Sequence, residues 1–357
     1  MALTGKGIYI WQLHRIAGGN VSAMVDKARD ANLTHVIIKI ADGNHLYNAN
    51  LIEPAANAFR AAGVQVWGWA WLWMRDALQE AETAAGRVQA LELDGFVINA
   101  EDPVKGKIQD AQTYMSALRN RLPDLPIGLS SYRYPQLHRS LPWEAFLTRC
   151  NLNLPQMYWV GESPAECLQN SIIQHQAFPF AKPIIPTGAS YGEQYGGTYF
   201  RAQPAQIVEF LDAVRANHLP AANFWSWDWT EAHGPDLWQA IANYNWPTTP
   251  DVAQQFWQAL TAGDLDAVAA LYHHNAVYIT ATQTVQGPTH IRAAFAQLLH
   301  ALPDAEFHQD QLRQENNLRF LHWSATSTAG QIRNGVDSIG IRAGKIQYHS
   351  SSYDVTE

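Results

Sequence analysis

The sequence predicts an α/β fold, a (β/α)8 TIM barrel, followed by a smaller α+β domain. Three observations carry this. Residues 6 to about 243 alternate strand-like and helix-like stretches eight times. No glycine-rich phosphate loop follows the first strand, which sets aside the open doubly wound sheet. A proline-containing break then separates this run from a segment of different pattern. A chain of 357 residues exceeds a typical single core and suits two domains. The expected division is a barrel over 1–246, a linker over 247–250 and a second domain over 251–357.

Strands are expected at 6–13, 35–42, 64–73, 95–101, 126–133, 152–159, 183–191 and 221–229. Each is rich in β-branched or aromatic residues and bounded by turn residues. Helices are expected at 21–32, 52–62, 75–91, 109–122, 203–217 and 236–244. Pro164 and Pro204 suit the first turn of a helix, and Gly63 suits the left-handed position after one. The stretch Trp246-Pro247-Thr248-Thr249-Pro250 reads as a short stiff linker. Beyond it, helices are expected at 251–261, 265–272 and 291–302. Strands follow at 318–325, 335–342 and 345–353, with turns at Ala329-Gly330 and Ala343-Gly344. Helices first and a curled antiparallel sheet after make an α+β domain of about a hundred residues.

Hydrophobic residues make up 47% of the chain and charged residues 16%, a globular profile. The net charge of −8 excludes nucleic acid as a main partner, since phosphate binding needs a basic footprint. No run approaches transmembrane length, so no membrane partner is expected. The first residues lack the apolar segment of a signal peptide, so a cytoplasmic location is expected. Cys150 and Cys167 give neither a disulfide framework nor metal-ligand spacing. Neither a metal nor another cofactor is expected. The chain holds 14 Trp and 14 Tyr. Most belong in cores, and those at strand ends suit a groove for sugars, whose C–H faces stack on aromatic rings.

The stretch Leu93-Asp94-Gly95-Phe96-Val97-Ile98-Asn99-Ala100-Glu101-Asp102 reads as a buried strand ending in two carboxylates. Alternation places Val97, Asn99 and Glu101 on one face and Phe96, Ile98 and Ala100 on the other. In a closed barrel Glu101 then stands at the C-terminal rim, where such barrels carry their chemistry. Sugar cleavage needs a carboxyl whose pKa is raised so that it can protonate the leaving oxygen. Trp71 on strand three and the adjacent Asp102 are neighbours that raise it. Tyr132 after strand five and Trp225 on strand eight are further sugar-binding candidates. Asp228, expected at the end of the Trp-rich eighth strand, is the best second carboxylate.

The strand ending at Glu101 resembles the signature of family 18 glycoside hydrolases, the chitinase family. Asp94, Gly95, Phe96, Ile98, Asn99 and Glu101 fit it; Val97 departs from the acidic or amide residue usual there. Gln156-Met157-Tyr158-Trp159 is similar to that family's Met-x-Tyr segment, and Phe224-Trp225-Ser226-Trp227-Asp228-Trp229 to its closing Trp strand. His35-Val36-Ile37-Ile38-Lys39-Ile40-Ala41-Asp42-Gly43 and Ala61-Ala62-Gly63-Val64-Gln65-Val66-Trp67-Gly68 look instead like family 25 lysozymes. Both families share a barrel with a Glu at the end of strand four. The family 18 resemblance implies N-acetylated glycans, such as peptidoglycan or chitin fragments, as substrates. It implies Glu101 as the general acid, Asn99 as the group orienting the substrate acetamide, and Tyr158 as the donor to its carbonyl. Asn99 stands where that scheme has an acid, and Tyr9 where the family 25 scheme has an Asp. A glycan-binding or scaffold protein with a degenerate site is therefore the alternative function.

The C-terminal segment resembles the SnoaL-like branch of the nuclear transport factor 2 superfamily, which implies a cone-shaped α+β fold. The likeness is carried by Phe256-Trp257-Gln258-Ala259-Leu260-Thr261-Ala262-Gly263-Asp264-Leu265, Val285-Gln286-Gly287, Ile291-Arg292-Ala293-Ala294-Phe295, His322-Trp323, Gly335-Val336-Asp337 and Gly344-Lys345-Ile346. The resemblance implies pockets, dimers or both. Tyr278, His322 and Asp337 are pocket candidates. A homodimer through 251–357 is expected, burying a sheet face that carries Trp323, Ile339, Ile341, Ile346 and Tyr348.

Overall fold

The computed structural model describes residues 3–246, 251–315, 317–342 and 344–356. The chain divides into two compact units, residues 1–247 and 248–357. The predicted linker at 247–250 and the predicted turn residue Ala343 lie outside the described residues.

The first unit is a closed barrel. Its parallel strands are β1 (Gly5–Ile10), β2 (Leu33–Asp42), β3 (Gln65–Trp71), β4 (Gly95–Asn99), β5 (Ile127–Tyr132), β6 (Leu152–Met157), β7 (Thr187–Ala189) and β8 (Ala221–Trp225). Each pairs with its sequence neighbour, and β1 pairs with both β2 and β8, which closes the ring. The helices between them include α1 (Val21–Asp30), α2 (Ile52–Ala61), α3 (Ala77–Ala90), α4 (Ile108–Arg121), α5 (Trp143–Leu147), α6 (Pro164–Gln176), α7 (Pro204–Ala216), α8 (Trp227–His233) and α9 (Pro235–Asn243). Their starts follow side-chain chemistry. Asn20, Asp76 and Ser163 each accept a hydrogen bond from a backbone N–H of the first turn, satisfying a donor that the helix leaves open.

The predicted alternation in β4 holds. Val97 joins Tyr9, Ile37, Trp67 and Trp69 inside the barrel, while Phe96 and Ile98 pack under the helices. The Asp-Gly pair that opens β4 has a local reason. Asp94 accepts a hydrogen bond from the backbone N–H of Val66 at 2.7 Å, fixing β4 against β3. A Cβ on Gly95 would stand 2.4 Å from the Trp67 ring, so only glycine lets that indole fill the floor.

At the opposite end of the barrel, the buried Lys6 of β1 donates to the carbonyls of Ile241 (2.7 Å), Ala242 (3.2 Å) and Tyr244 (2.7 Å). These are end-of-helix carbonyls with no partner inside α9, and an ammonium satisfies three of them at once.

Strand eight is shorter than predicted. It ends at Trp225, and residues 227–233 form α8. An aromatic run reads as a strand because its residues suit a pleated surface, yet here the second half of the run packs as a helix. Trp227 stacks on Trp238 of α9, with ring centroids 4.7 Å apart. The expected carboxylate at the end of strand eight, Asp228, therefore lies in α8. It is buried and accepts a hydrogen bond from the Trp11 backbone N–H at 2.9 Å.

The second unit wraps a six-stranded sheet around α10 (Val252–Thr261), α11 (Leu265–Ala270) and α12 (Pro288–Ala301). Its strands are β9 (Tyr272–Ile279), β10 (Thr284–Gln286), β11 (Glu306–Glu315), β12 (Leu318–Ser327), β13 (Gly330–Arg342) and β14 (Lys345–Ser352), ordered β10-β9-β14-β13-β12-β11. Asp251 and Gln254 form a reciprocal capping box at the start of α10. Three strands were not foreseen. β9 contains two histidines and an asparagine, and β11 is polar along nearly its whole length because it is an exposed edge. The face predicted for pairing is also different. Trp323, Ile339 and Ile346 point into the core against Phe256 and Phe295. Of the five residues, Tyr348 is the one that stands well out, 64% exposed, beside the exposed Ile279, Leu318 and Phe320.

Candidate functional site

The C-terminal rim of the barrel opens into a cleft of about 700 Å3. Strand register sets its floor. Trp71 pairs with Asn99, Asn99 with Ser130, and Tyr132 with Gln156, so side chains from four consecutive strands reach the rim together. Glu101 lies two residues beyond the end of β4, half-buried among them.

Gln156 is the centre of the polar network. Its Nε2 donates to Glu101 Oε1 at 2.8 Å and to Asn99 Oδ1 at 2.9 Å. Burial pushes the Glu101 carboxyl above its ordinary value of 4.5, and the neighbouring Asp102 charge adds to this; the hydrogen bonds from Gln156 and Asn99 act in the opposite direction. Tyr158, half-buried across the cleft, is held far above the usual phenol range, first by burial and then by Tyr191 and Glu101. It remains a hydroxyl donor at any physiological pH. A carboxyl whose pKa is raised, lining the same cleft as a phenol donor, is what acid-assisted cleavage of a glycosidic bond requires.

An aromatic platform surrounds this pair. Trp225 packs on Trp69 and Tyr9 with ring centroids 5.3 and 5.7 Å apart, and Trp11 stacks beside it at 6.4 Å. The peptide bond after Trp225 is cis. Lys39, 5% exposed, reaches into the cleft with its ammonium 4.4 Å from the Tyr47 ring centre and 5.1 Å from that of Trp69. It pairs with Asp42 at 2.7 Å, and Asp42 also accepts from Trp73 Nε1 at 2.6 Å. On the other wall Arg133 pairs with Glu162 at 3.0 Å, and Tyr191 donates to Glu193 at 3.1 Å. The cationic groups of both walls are paired with carboxylates, Lys39 with Asp42 and Arg133 with Glu162. Such a surface suits a neutral, hydroxyl-rich ligand.

The structure gathers Glu101, Asn99, Tyr158, Trp71, Tyr132 and Trp225 around one cleft. Two predicted ligand contacts stand elsewhere. Asp102 turns outward, its side chain 81% exposed, and is held by Lys105 at 2.6 Å and by the Tyr132 hydroxyl at 2.6 Å. Asp228 is spent on the backbone of Trp11 below the rim.

Gln156, Lys39 and Glu193 were missed. Gln156 had a signal: it stands two residues before Tyr158, and alternation puts position 156 on the axis-facing side of β6. Glu193 sits on a short hairpin, Gly192–Tyr195 with Thr198–Arg201, whose Gly196-Gly197 turn was legible but unread.

In the second unit the candidate pocket residues separate. Asp337 and Tyr278 are buried, whereas His322 faces outward beside Asp310 at 3.4 Å. The buried group is continuous. Tyr272 Oη lies 2.5 Å from His349 Nδ1, and His349 Nε2 lies 3.5 Å from Asp337 Oδ2. Residues 253–349 form a SnoaL-like domain.

Comparisons with known proteins bear on the folds of the two units. The family model that matches is the SnoaL-like domain, over residues 253–349. The barrel has the fold of a family 18 chitinase. The crystal structure of a GH18 chitinase from Pseudoalteromonas aurantia is similar with a TM-score of 0.51 and 16% identity, covering 67% of this chain and 99% of that one. An NTF-2 like protein of unknown function from Burkholderia xenovorans is 20% identical over 30% of this chain and 82% of its own, with a TM-score of 0.26. An NTF2-like protein of unknown function from Cytophaga hutchinsonii is 14% identical over 31% of this chain and 93% of its own, with a TM-score of 0.27. No curated protein matches the chain. Among the described residues, no helix is long and apolar enough to cross a membrane.

Proposed function

We propose that the barrel is a glycoside hydrolase acting on N-acetylated glycans, such as peptidoglycan or chitin fragments, with Glu101 as its general acid. The supporting observation is the position of Glu101. It is a carboxyl raised by burial, hydrogen-bonded by Gln156, facing a cleft lined by Tyr158, Trp71, Tyr132 and Trp225. The fold shared with a family 18 chitinase supports the same reading.

Asn99 favours a second reading, a glycan-binding barrel without turnover, because an amide cannot offset the positive charge that develops on the sugar. One experiment separates the two. The full chain is assayed against aryl N-acetylglucosaminides and peptidoglycan, beside Glu101→Gln. The hydrolase reading expects sugar release by the parent protein and a loss in the variant. Binding of chitin oligomers with no release in either protein supports the second reading.

For the second unit we propose homodimerisation through the sheet face carrying Ile279, Leu318, Phe320 and Tyr348, an exposed apolar surface around a depression of about 640 Å3. Light scattering of the full chain should give twice the monomer mass, and Phe320→Glu should return it to one. A monomer at micromolar concentration overturns this assignment.

A further inference from the structure

We propose that the buried Glu80 is a positioning residue, which builds a sugar-binding corner of the cleft out of Trp73, Asp42 and Lys39. The inference rests on the reading of the cleft as a glycan site and names a group behind the lining on which part of its affinity depends.

The first observation is how the loop after β3 is fixed. The backbone N–H groups of Trp73, Met74 and Arg75 converge on one carboxylate. Glu80 Oε2 accepts from Trp73 at 3.0 Å and from Met74 at 3.2 Å, and Oε1 accepts from Arg75 at 3.0 Å. Met74, the middle residue, has a left-handed φ of 51°, uncommon for a residue with a side chain. From the other side Lys107 Nζ donates to the carbonyls of Trp73 at 3.1 Å and Met74 at 3.0 Å. An anion thus holds the donors of this loop and a cation its acceptors. Glu80 acts from the first turn of α3, buried and outside the cleft lining.

The second observation is what the loop carries. The Trp73 indole donates from Nε1 to Asp42 at 2.6 Å, packs against Trp71 with ring centroids 6.0 Å apart, and has the Arg75 guanidinium over it at 5.0 Å. A Cβ on Gly43 would stand 2.9 Å from Trp73 Cδ1, so the glycine leaves the ring its seat. Despite these contacts Trp73 is 37% exposed, and it lines the cleft. A ring already held still loses little freedom when a ligand covers it. Register places it beside the acid. Trp71 pairs with Asn99, and Trp73 and Glu101 each follow two residues later on neighbouring strands.

The third observation is Lys39, buried and lining the same cleft. Among the described residues its one hydrogen-bond partner is Asp42, at 2.7 Å. An ammonium has three N–H donors, and a carboxylate that accepts from Lys39 and Trp73 keeps lone pairs. A sugar hydroxyl can therefore accept from Lys39 and donate to Asp42 while the sugar's C–H surface covers the exposed part of Trp73. The ligand of this corner is a neutral sugar unit of a glycan chain.

The test uses the full chain carrying Glu101→Gln, so that the N-acetylglucosamine tetramer binds without turnover, and reads affinity by calorimetry. Trp73→Ala should weaken Kd about tenfold. Glu80→Gln keeps one acceptor oxygen and turns an N–H toward the N–H groups of the loop, so it should weaken Kd by a similar factor. Lys107→Met, which frees the carbonyl side, should weaken it less. Added to Trp73→Ala, Glu80→Gln should cost no further affinity, because its effect passes through the ring; a merely structural role would add its loss in both backgrounds. With Glu101 restored, Glu80→Gln should raise KM for the tetramer and leave kcat little changed. Unchanged affinity in Trp73→Ala, or an additive loss in the double variant, overturns the inference, and sugar release by the parent chain then leaves the hydrolase reading standing. The coupled loss without sugar release by the parent chain supports the corner and removes the hydrolase reading instead.

Discussion

The barrel rim and the interior of the second unit use the same kinds of side chain and come to opposite results. Each assembles carboxylates, phenols and aromatic rings by strand register. At the rim, Glu101 and Tyr158 follow the ends of their strands and open onto a cleft. In the second unit, Asp337 and His349 lie in the middle of β13 and β14 and are 1% exposed, with Tyr272 at 2%. A polar cluster placed mid-strand is enclosed by the neighbouring strands and helices, whereas one placed past a strand end meets solvent. Residue type alone does not distinguish a site from a core network; position along the strand does.

The largest expected effect breaks the comparison most directly. Glu101→Gln removes the proton and keeps the shape, so kcat should fall about a thousandfold, while Asp337→Asn leaves turnover per folded molecule unchanged. Steady-state kinetics on both variants check this, and equal losses would mean that the buried cluster also serves catalysis. Tyr158→Phe should cost about a hundredfold, the value of one donor aimed at developing charge.

Stability should show the reverse order. Asp337→Asn or His349→Leu disturbs a buried network and should cost about 1–3 kcal/mol in denaturant unfolding. Glu101→Gln should stabilise the barrel at neutral pH. The folded-state pKa of Glu101 is raised, so its favourable contribution is complete below the ordinary value of 4.5 and is lost as pH rises through the raised value. The variant should therefore unfold at higher denaturant than the parent at pH 8 and at about the same point at pH 4.

The smallest effect concerns Gln156. Its hydrogen bond favours the charged form of Glu101. Gln156→Leu should raise the carboxyl pKa further and move the basic limb of the pH–rate profile upward, by about one unit or less. A downward shift would mean that Gln156 holds Glu101 in some other way.

Much of this contrast was readable before any coordinates. Eightfold alternation and the Leu93–Glu101 pattern were enough to fix the barrel and to bring Glu101 to its rim, because strand alternation dictates which side of the sheet each residue takes. Aromatic density misled at 226–229. Trp227, Asp228 and Trp229 belong there to a helix, in which Trp227 stacks on Trp238. The sheet face of the second unit was misassigned because three of its strands carry polar sequences, and without them the side on which Trp323 and Ile339 lie is undetermined. Glu193 was invisible for another reason. A hairpin inserted after a barrel strand follows no period of the barrel, and its place on the cleft exists only in three dimensions.

Lys6 has a consequence for how the molecule comes into being. Its ammonium, in the first strand, ends on carbonyls 235 to 238 positions later in the chain. A ribosome that has delivered β1 must deliver nearly the whole barrel before that charge can be housed, and until then the first strand also lacks one of its two neighbours, β8. The ring therefore closes last where it began first. A chain shortened after Tyr244 keeps the three carbonyls that receive Lys6, whereas one stopped a few residues earlier strands a cation in the seam it was meant to seal.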